Sequence, residues 1–485
     1  MSTTDTANAY APVPRPPMLS ATQWTGLALA IAGLLLPQLI PLGSQLSPAG
    51  HRMLGIFIMA IVLWISEAVP MHATATLIIL LEVLLLSDKA VVALPAGFKA
   101  IEHKSLFATL ADPVIILFLG GFFLADGASK FALDRNLSAV ILRPFGSRPR
   151  TVLLGIMLIT AVFSMFMSNT ATTATMMTVA IPLMAQFAEK DRMRAAIALS
   201  IPIAANIGGI GTPIGTPPNA IALGALSSAK VANLPSFMQW TIGATPFMLL
   251  FLLLAWLILV WMFPTAQKSV TMSLQSSFDR SRSAWVFYGT FIVTVLLWMT
   301  ESLHGLNSNV VGFVPVVVLL CTRVFTVKDL QNLDWHVLWL VAGGIALGAG
   351  IGATGMDKWF IGLFPWGKMS AAVLIAVLAG ASLLVGTFIS HSATANLLVP
   401  IGISLARSGT VAIDPVAAGI FIAIGSSLAM ALPISTPPNA IAFATGEVKT
   451  RDMAIVGALI GGIGWAAFVT VGPWLWRLLG ILPPA

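Results

Sequence analysis

Long apolar runs dominate the chain, and short polar or charged stretches separate them. Runs of roughly 17 to 25 apolar residues, enough for a hydrocarbon core of about 30 Å, recur along nearly the whole length. This pattern predicts an all-α polytopic membrane protein. The predicted continuous spans are residues 22–42, 53–70, 72–87, 112–131, 236–264, 284–301, 308–324, 334–353 and 453–480.

Two further segments are too polar in the middle to be simple spans. In residues 151–188, a polar run that begins at Ser168 divides two apolar arms. Each arm is roughly 20 to 25 Å long, which is shorter than the hydrocarbon core. Residues 371–406 repeat the design around a tip that begins at Ser390. We predict two re-entrant hairpins, whose polar tips are tolerated in a membrane only where protein or water surrounds them.

One phrase occurs twice in the chain. Eight residues from Gly215 and eight from Ser435 are identical at seven positions and share Thr-Pro-Pro-Asn-Ala-Ile-Ala. A Pro-Pro pair must interrupt a helix, so we predict broken helices over residues 195–229 and 413–446. With the continuous spans they make about 11 transmembrane helices. Broken helices in corresponding halves indicate a binding site near the bilayer midplane, as in secondary transporters.

Four motifs recur in the same order in both halves, at offsets of 234, 222, 222 and 220 residues. The pairs begin at Trp64 and Trp298, Asp112 and Asp334, Ser168 and Ser390, and Thr216 and Thr436. Such constant offsets predict an internal repeat. Because an odd number of membrane segments separates the copies, the two halves have opposite orientation and form an inverted repeat.

The predicted organisation follows from these motifs. Residues 1–20 are polar and Pro-rich, without the features of a cleavable signal, and are predicted to be a disordered cytoplasmic tail. The first repeat is 21–230, a connecting span and cytoplasmic loop are 231–283, the second repeat is 284–446, and the last span and C-terminus are 447–485.

Composition supports a membrane protein, since 58% of the 485 residues are hydrophobic and 9% are charged. The net charge of +7 does not indicate nucleic-acid binding, because lysines and arginines lie in short loops between spans. Sixteen of the 25 basic residues fall on one side if the N-terminus is cytoplasmic. We therefore predict an integral protein of the plasma (bacterial inner) membrane, with its N-terminus inside and its C-terminus outside.

The tips and breaks provide groups for two kinds of ion. Helix N-termini suit carboxylate or sulfate oxygens, and carbonyl and hydroxyl oxygens at a break suit sodium. Glu67 and Glu301 lie at span ends and are placed outside the site. Asp112 and Asp334 precede apolar runs and are predicted helix N-caps.

At these motifs the chain resembles the divalent anion:sodium symporters, a family of di- and tricarboxylate carriers. The resemblance covers about residues 20 to 480 and includes the Ser-Asn-Thr tip, the Thr-Pro-Pro-Asn-Ala phrases and the stretch around Glu67. It implies a homodimer with an elevator mechanism, in which a transport domain moves against a scaffold domain. It also implies a first sodium site at Ser164, Ser168, Asn169 and Gly215, and substrate contacts at Asn169, Thr170, Thr216, Pro217, His391, Ser392, Thr436 and Pro437.

The second half departs from the family pattern. His391 and Ser392 stand where the family has Asn-Thr, and Gly386 stands where a hydroxyl ligand of a second sodium is expected. A second sodium site would use Ser390, His391 and Ser435. His391 instead favours proton coupling or obligatory anion exchange, with the imidazole replacing the second sodium; the alternative is a neutral histidine bonded to a nearby carbonyl.

These observations predict a sodium-coupled secondary transporter of small dicarboxylates such as succinate, malate, fumarate and 2-oxoglutarate. The alternatives are a dicarboxylate exchanger or a proton-coupled carrier, and a tricarboxylate or sulfate carrier is less favoured. Neither a continuous polar path for a channel nor the catalytic constellation of an intramembrane enzyme is apparent in the sequence. The expected partners are a small dianion, sodium as a co-transported ion, the lipid bilayer and a second copy of the chain.

Overall fold

The computed structural model of the chain describes residues 19–40, 46–271, 277–363 and 365–482. Regular structure in this part of the chain is helical, which confirms the all-α prediction, and an isolated β-bridge pairs Ser87 with Ile101 in a connecting segment. Only the last two residues of the predicted tail, residues 1–20, are among those described. Ser20 there caps the first helix.

The first half contains ten α-helices, counted over the described residues. They are α1 (Ala21–Leu39), α2 (Pro48–Ser66), α3 (Met71–Leu86), α4 (His103–Ala108), α5 (Pro113–Lys130), α6 (Leu133–Leu142), α7 (Pro149–Ser164), α8 (Asn169–Met184), α9 (Met193–Gly209) and α10 (Pro217–Ser228). The remainder comprises α11 (Phe237–Met262), α12 (Arg282–Met299), α13 (Glu301–His304), α14 (Ser308–Cys321), α15 (Val327–Gln331), α16 (Trp335–Thr354), α17 (Met356–Gly362), α18 (Ala371–Phe388), α19 (His391–Arg407), α20 (Pro415–Ser427), α21 (Pro437–Ala444) and α22 (Thr450–Leu478).

Each predicted continuous span overlaps one apolar helix, namely α1, α2, α3, α5, α11, α12, α14, α16 or α22. Seven helical stretches in the described ranges are at least 18 residues long and apolar enough to cross a membrane. The helices α3 and α14 are shorter, with 16 and 14 residues. The connecting segments also contain short helices that the apolar pattern does not predict, namely α4, α6, α13, α15 and α17.

The two predicted hairpins are helix pairs with short tips. The first pair is α7 and α8, and the second is α18 and α19. Ser168 and Ser390 cap the second helix of each pair, and their hydroxyls accept hydrogen bonds from the amides of Ala171 (3.2 Å) and Ala393 (3.1 Å). A serine at each tip therefore defines where the N-terminus of the returning helix begins.

Both Thr-Pro-Pro-Asn phrases interrupt a helix, as predicted. Pro217 and Pro437 begin α10 and α21, where a missing N–H costs no helical hydrogen bond. The asparagine of each phrase then binds carbonyls that the break releases. Asn219 Nδ2 donates to the oxygens of Gly209 (3.0 Å) and Thr212 (2.8 Å).

The second break has the same arrangement. Asn439 Nδ2 donates to the carbonyl oxygens of Met430 and Leu432, each at 2.9 Å. Asn219 and Asn439 are equivalent in the repeat and both are buried. The repeated asparagine therefore holds each break open, and its amide nitrogen is already engaged by the backbone.

The two halves exchange helix contacts crosswise. α3 of the first half packs on α16 of the second, and α14 of the second packs on α5 of the first. Glycines allow this close approach, because a Cβ on Gly120 would collide with the carbonyl oxygen of Gly312 and one on Gly343 would collide with Ala75. The broken helices also pack across the two halves, with α10 against α19 and α21 against α8.

An ion pair joins the start of α9 to the segment before α22. Arg194 Nε donates to Glu447 Oε2 at 2.9 Å, and its Nη2 donates to Oε1. These hydrogen bonds from Arg194 hold the pKa of the Glu447 carboxyl below its ordinary value of 4.5. The pair therefore ties the first repeat to the end of the second through a bidentate contact.

We expect Glu447→Gln to lower the melting temperature of the detergent-solubilised protein, through loss of about 1 kcal/mol. A carboxyl with a depressed folded-state pKa stabilises the protein above its unfolded pKa and loses this effect as the pH falls through the lower folded-state value. The difference between wild type and variant should therefore be full at neutral pH and shrink on acidification below 4.5.

The neighbouring variant Asp452→Asn is the matched control, because this carboxylate lies 3.9 Å from Arg192 and should contribute less. Equal melting temperatures of wild type and Glu447→Gln at neutral pH would show that the Arg194 pair does not stabilise the fold.

Candidate functional site

Both hairpin tips and both helix breaks meet at a cavity of about 820 Å³. All but one of the residues that the sequence assigns to the substrate and cation sites line this cavity. They are Ser168, Asn169, Thr170, Gly215, Thr216 and Pro217 from the first half, and Ser390, His391, Ser392, Ser435, Thr436 and Pro437 from the second. The remaining residue, Ser164, is fully buried beneath the first tip.

Oxygen atoms converge beneath the first tip. One atom of the Asn169 side-chain amide lies 2.6 Å from Ser164 Oγ, 3.1 Å from the Gly215 carbonyl oxygen and 3.2 Å from that of Ala205. If this atom is nitrogen, it donates hydrogen bonds to these oxygens. If it is oxygen, it accepts a hydrogen bond from the Ser164 hydroxyl and faces the two carbonyl oxygens with no proton between them, so a cation there would relieve the repulsion. This is the donor set that a hard cation prefers.

The second tip has different chemistry at the equivalent position. His391 is 6% exposed, and its Nε2 lies 2.6 Å from the carbonyl oxygen of Ala429. A Cβ on Gly386 would lie 2.9 Å from the Cβ of Ala429, so a larger residue there requires its neighbours to move. The hydroxyl of Ser435 donates to the carbonyl oxygen of Thr387 at 2.8 Å. The predicted ligands of a second cation are therefore engaged within the protein.

A buried asparagine that the sequence motifs do not reveal connects the two halves of the site. Asn206 on α9 is fully buried, and its Oδ1 accepts a hydrogen bond from Asn169 Nδ2 at 3.3 Å. Its own Nδ2 contacts Thr436 Oγ1 at 3.4 Å and Asn439 Oδ1 at 3.3 Å. Asn439 Nδ2 already donates to two carbonyl oxygens, so its Oδ1 accepts from Asn206 Nδ2, and this leaves Asn206 Oδ1 to accept from Asn169 Nδ2. In this orientation the side-chain oxygen of Asn169 faces Ser164, Gly215 and Ala205.

The opposite wall of the cavity comes from α3, α5 and α16. Glu67, which the sequence analysis places outside the site, lines this wall and has a left-handed backbone conformation with φ of 47°. Asp334 also lines it. It occupies the predicted N-cap position of α16, but its side chain makes no capping hydrogen bond, whereas Asp112 caps α5 by accepting from Val114 N at 2.9 Å. Crosswise packing of α3 and α16 brings Glu67 and Asp334 to the cavity.

Two histidines on this wall were also missed. His72 is the second residue of α3 and His336 the second residue of α16, and their ring centroids lie 6.1 Å apart in an edge-to-face arrangement. His336 Nδ1 is 3.9 Å from Asp334 Oδ1. No sequence periodicity links residues that are 264 positions apart (336 − 72), so only the packing of α3 on α16 reveals this pair.

The cavity favours an anion without using a lysine or arginine. Neither residue type is present in its lining, within the part of the chain that the structure describes. The N-termini of α8, α10, α19 and α21 carry the tips and breaks, and free N–H groups there attract carboxylate oxygens. Thr170 and Ser392 add hydroxyl donors. Together with the oxygen cluster, the site has groups for an anion and a cation side by side.

Comparisons with known proteins agree with this chemistry. A profile of the family described as sodium:sulfate symporter, transmembrane region, matches residues 21–482. An uncharacterized transporter of Haemophilus influenzae is 32% identical over 88% of this chain and 92% of its own length. The sodium-dependent dicarboxylate transporter SdcS of Staphylococcus saprophyticus is 28% identical over 86% of this chain and 85% of its own length. The sodium-dependent high-affinity dicarboxylate transporter 3 of Caenorhabditis elegans is 30% identical over 82% of this chain and 78% of its own length.

A solved structure shares the fold. The YdaH transporter of Alcanivorax borkumensis aligns with a TM-score of 0.54 at 14% identity, over 84% of this chain and 98% of that one. The family and the relatives from Haemophilus, Staphylococcus and Caenorhabditis are transporters, which confirms the expectation of a transporter rather than an enzyme. The chain therefore belongs to the sodium:sulfate symporter family, the divalent anion:sodium symporters that its hairpin tip and repeated phrases resemble.

Proposed function

We propose that the protein is a secondary active transporter that carries a small dicarboxylate together with sodium. The observation that carries this proposal is the meeting of both tips and both breaks at one cavity, where helix N-termini surround an oxygen cluster. The names of the relatives from Staphylococcus and Caenorhabditis support both the dicarboxylate and the sodium ion. Succinate, malate, fumarate and 2-oxoglutarate are the proposed substrates.

We assign the cation to the first tip, with the oxygens of Ser164, Asn169, Gly215 and Ala205 as its nearest groups and Ser168 beside them. In this assignment Asn169 Oδ1 faces the cation, and its Nδ2 donates to Asn206. The dianion then lies between Thr170 and Thr216 of the first half and Ser392 and Thr436 of the second. Sodium at the first tip offsets part of the substrate charge, which explains why the lining needs no basic residue.

We further propose an elevator mechanism in a homodimer, with the N-terminus cytoplasmic and the C-terminus outside. The hairpins pack on the broken helices. In the first half α7 and α8 pack on α9, and in the second half α18 and α19 pack on α20. These helices form the transport body. The crosswise pairs of α3 with α16 and α5 with α14 form the scaffold, against which the body slides.

A second candidate function rests on the second tip. The contact between His391 Nε2 and the Ala429 oxygen places a ring nitrogen where a second cation would need a free carbonyl. A carrier with one sodium, a proton-coupled carrier and an obligatory exchanger all accommodate this contact. They differ in what drives net uptake: a sodium gradient, a proton gradient or dicarboxylate on the opposite side.

We expect Thr170→Ala and Ser392→Ala each to raise the KM for succinate by about tenfold, because each removes one hydrogen bond to a charged partner, worth about 1 to 3 kcal/mol. Labelled succinate uptake in proteoliposomes measures this change. Thr178→Ala is the matched control on α8, since that hydroxyl bonds within its own helix to the Thr175 oxygen at 2.7 Å. Wild-type KM values for both tip variants would remove these residues from the site.

Counterflow tests the proposed carrier. Vesicles loaded with unlabelled succinate should transiently accumulate labelled succinate from outside, because one site alternates between the two faces. Unlabelled sulfate or a tricarboxylate is then added outside at the same concentration as labelled succinate. If either anion abolishes the accumulation, that anion and not the dicarboxylate is the preferred substrate. Linear, unsaturable flux with no transient accumulation would indicate a channel and refute the carrier.

A further inference from the structure

A second cavity, of about 520 Å³, lies between α10, α16, α17 and α19. Its position relative to the first cavity follows from α16, which lines both. Val337 faces the first cavity and Ala353 the second, and 16 residues of helix separate them by about 24 Å. α16 is long enough to cross a membrane. The two cavities therefore lie towards opposite ends of a membrane-length helix.

Three solvent-exposed basic side chains from three elements line the second cavity. Lys230 follows α10, Lys358 lies in α17 and Arg407 ends α19. Among the residues that the structure describes, none of these side chains donates a hydrogen bond or forms an ion pair. One carboxylate, Asp357, is also present, and it accepts the backbone amide of Lys358 at 2.8 Å. The cavity thus has three positive groups and one negative group.

Helix dipoles account for only part of this cluster. Lys230 and Arg407 lie at helix C-termini, where a cation is favoured. Lys358 lies in the first turn of α17, where a cation is disfavoured. These are also three of the nine basic residues predicted on the outer side, where lysine and arginine are normally sparse. Their meeting in one cavity therefore requires another reason.

The first cavity has the opposite charge. Glu67 and Asp334 line it, and its described lining has no lysine or arginine. A cleft with low-dielectric walls and charges of one sign focuses its field and raises the local concentration of the opposite ion. The second cavity therefore attracts dianions through its basic side chains, whereas the first cavity does so only through the helix N-termini at its tips and breaks.

We propose that the second cavity is an anion-gathering vestibule, a weak site that concentrates small dicarboxylates at the membrane face opposite the first cavity. Its physiological role rests on the proposed carrier function. Lys230 follows α10 and Arg407 ends α19, both in the proposed transport body, and Lys358 lies in α17, which follows the proposed scaffold helix α16. The dianion would be gathered there before the transport body receives it. The test below separates the field of the cavity from transport.

The field is measured by cysteine reactivity. In a background with Cys321→Ser, single Ala353→Cys and Val337→Cys variants report on the second and first cavities. Each is treated in turn with negatively charged sulfonatoethyl methanethiosulfonate and positively charged trimethylammonioethyl methanethiosulfonate. We expect the ratio of anionic to cationic rates to be about tenfold higher for Ala353→Cys than for Val337→Cys. Equal ratios would overturn the proposal even if the protein transports dicarboxylates.

Neutralisation identifies the source of the field. A triple variant combines Lys230→Gln, Lys358→Gln and Arg407→Gln. It should abolish the anionic preference at Ala353→Cys and leave the rate ratio at Val337→Cys unchanged. The unchanged ratio would also show that the fold is intact. Lys358→Gln alone should give a smaller change in the same direction. Lys368→Gln is the matched control, since this exposed lysine does not line the cavity. An anionic preference that survives the triple change would contradict the assignment of these residues.

Transport then tests the gathering role. In oriented vesicles, the triple variant should raise the KM for succinate by about fivefold or more from the face of the second cavity only, and should weaken its dependence on ionic strength. An unchanged KM from that face would overturn the vestibule. A wild-type protein that moves no dicarboxylate would refute the proposed function instead, and the reactivity ratios would still decide whether the cavity attracts anions.

Discussion

Asn206→Ala is expected to lower the apparent affinities for sodium and for succinate together, each by about a hundredfold. Asn206 is fully buried and is the hydrogen-bond partner of Asn169 on one side and of Asn439 and Thr436 on the other. Its removal leaves buried polar groups unpaired in both halves, at about 1 to 3 kcal/mol for each group. A loss of about 2.7 kcal/mol in the binding free energy of each ion, the sum over two such unpaired groups, corresponds to a hundredfold change in its dissociation constant.

The measurement is succinate uptake over a range of sodium concentrations, and over a range of succinate concentrations at fixed sodium. Asn136→Ala is the matched control, because Asn136 is also buried and exchanges two hydrogen bonds with the backbone of Ser277, at 3.2 and 2.8 Å, away from the cavity. It should reduce protein abundance without raising both constants. A change in only one of the two constants for Asn206→Ala would show that this residue does not couple the sites.

The two tips are expected to respond differently to substitution. Asn169→Ala should remove sodium activation and reduce transport at least a hundredfold, because it deletes both an oxygen of the proposed cation site and the partner of Asn206. His391→Gln should retain transport with sodium activation of unchanged, hyperbolic form. A glutamine amide nitrogen can replace the ring Nε2 as a neutral donor to the Ala429 oxygen.

Initial rates as a function of sodium and of pH decide between the roles of His391. Loss of transport in His391→Gln, with a pH dependence in the wild type that the variant lacks, would mean that a charged imidazolium is needed and would favour proton coupling. Steep, cooperative sodium activation in the wild type would restore a second sodium site. Introducing a hydroxyl at Gly386 is a poor test, since a Cβ there lies 2.9 Å from Ala429 Cβ.

Local sequence patterns predicted the elements that build the site, because each depends on a nearby signal. Apolar length predicts the spans, and serines at the tips and Pro-Pro pairs at the breaks define where helices begin. The constant offsets between Ser168 and Ser390 and between Thr216 and Thr436 then predict that these tips and breaks occupy equivalent positions in the two halves. The residues that the family resemblance assigns to the site lie at these tips and breaks, and every one of them except Ser164 lines the cavity.

The residues that sequence analysis missed depend on contacts between distant segments. Asn206 lies inside an apolar helix with no repeated partner, since the equivalent position, 220 residues later, is Ser426. Glu67 and Asp334 reach the cavity only because α3 and α16 pack crosswise. Asp334 also shows that an aspartate before an apolar run is not always a cap, since its side chain faces the cavity instead of the helix amides.

Sodium-driven accumulation of labelled succinate in proteoliposomes tests the central proposal most directly. With sodium outside and none inside, succinate should accumulate transiently above equilibrium, and a sodium ionophore or equal sodium on both sides should abolish the overshoot. The Asn169→Ala protein, at equal abundance, should show no overshoot. Accumulation that is unaffected by the sodium gradient and requires dicarboxylate inside the vesicles would contradict sodium symport and identify the protein as an exchanger.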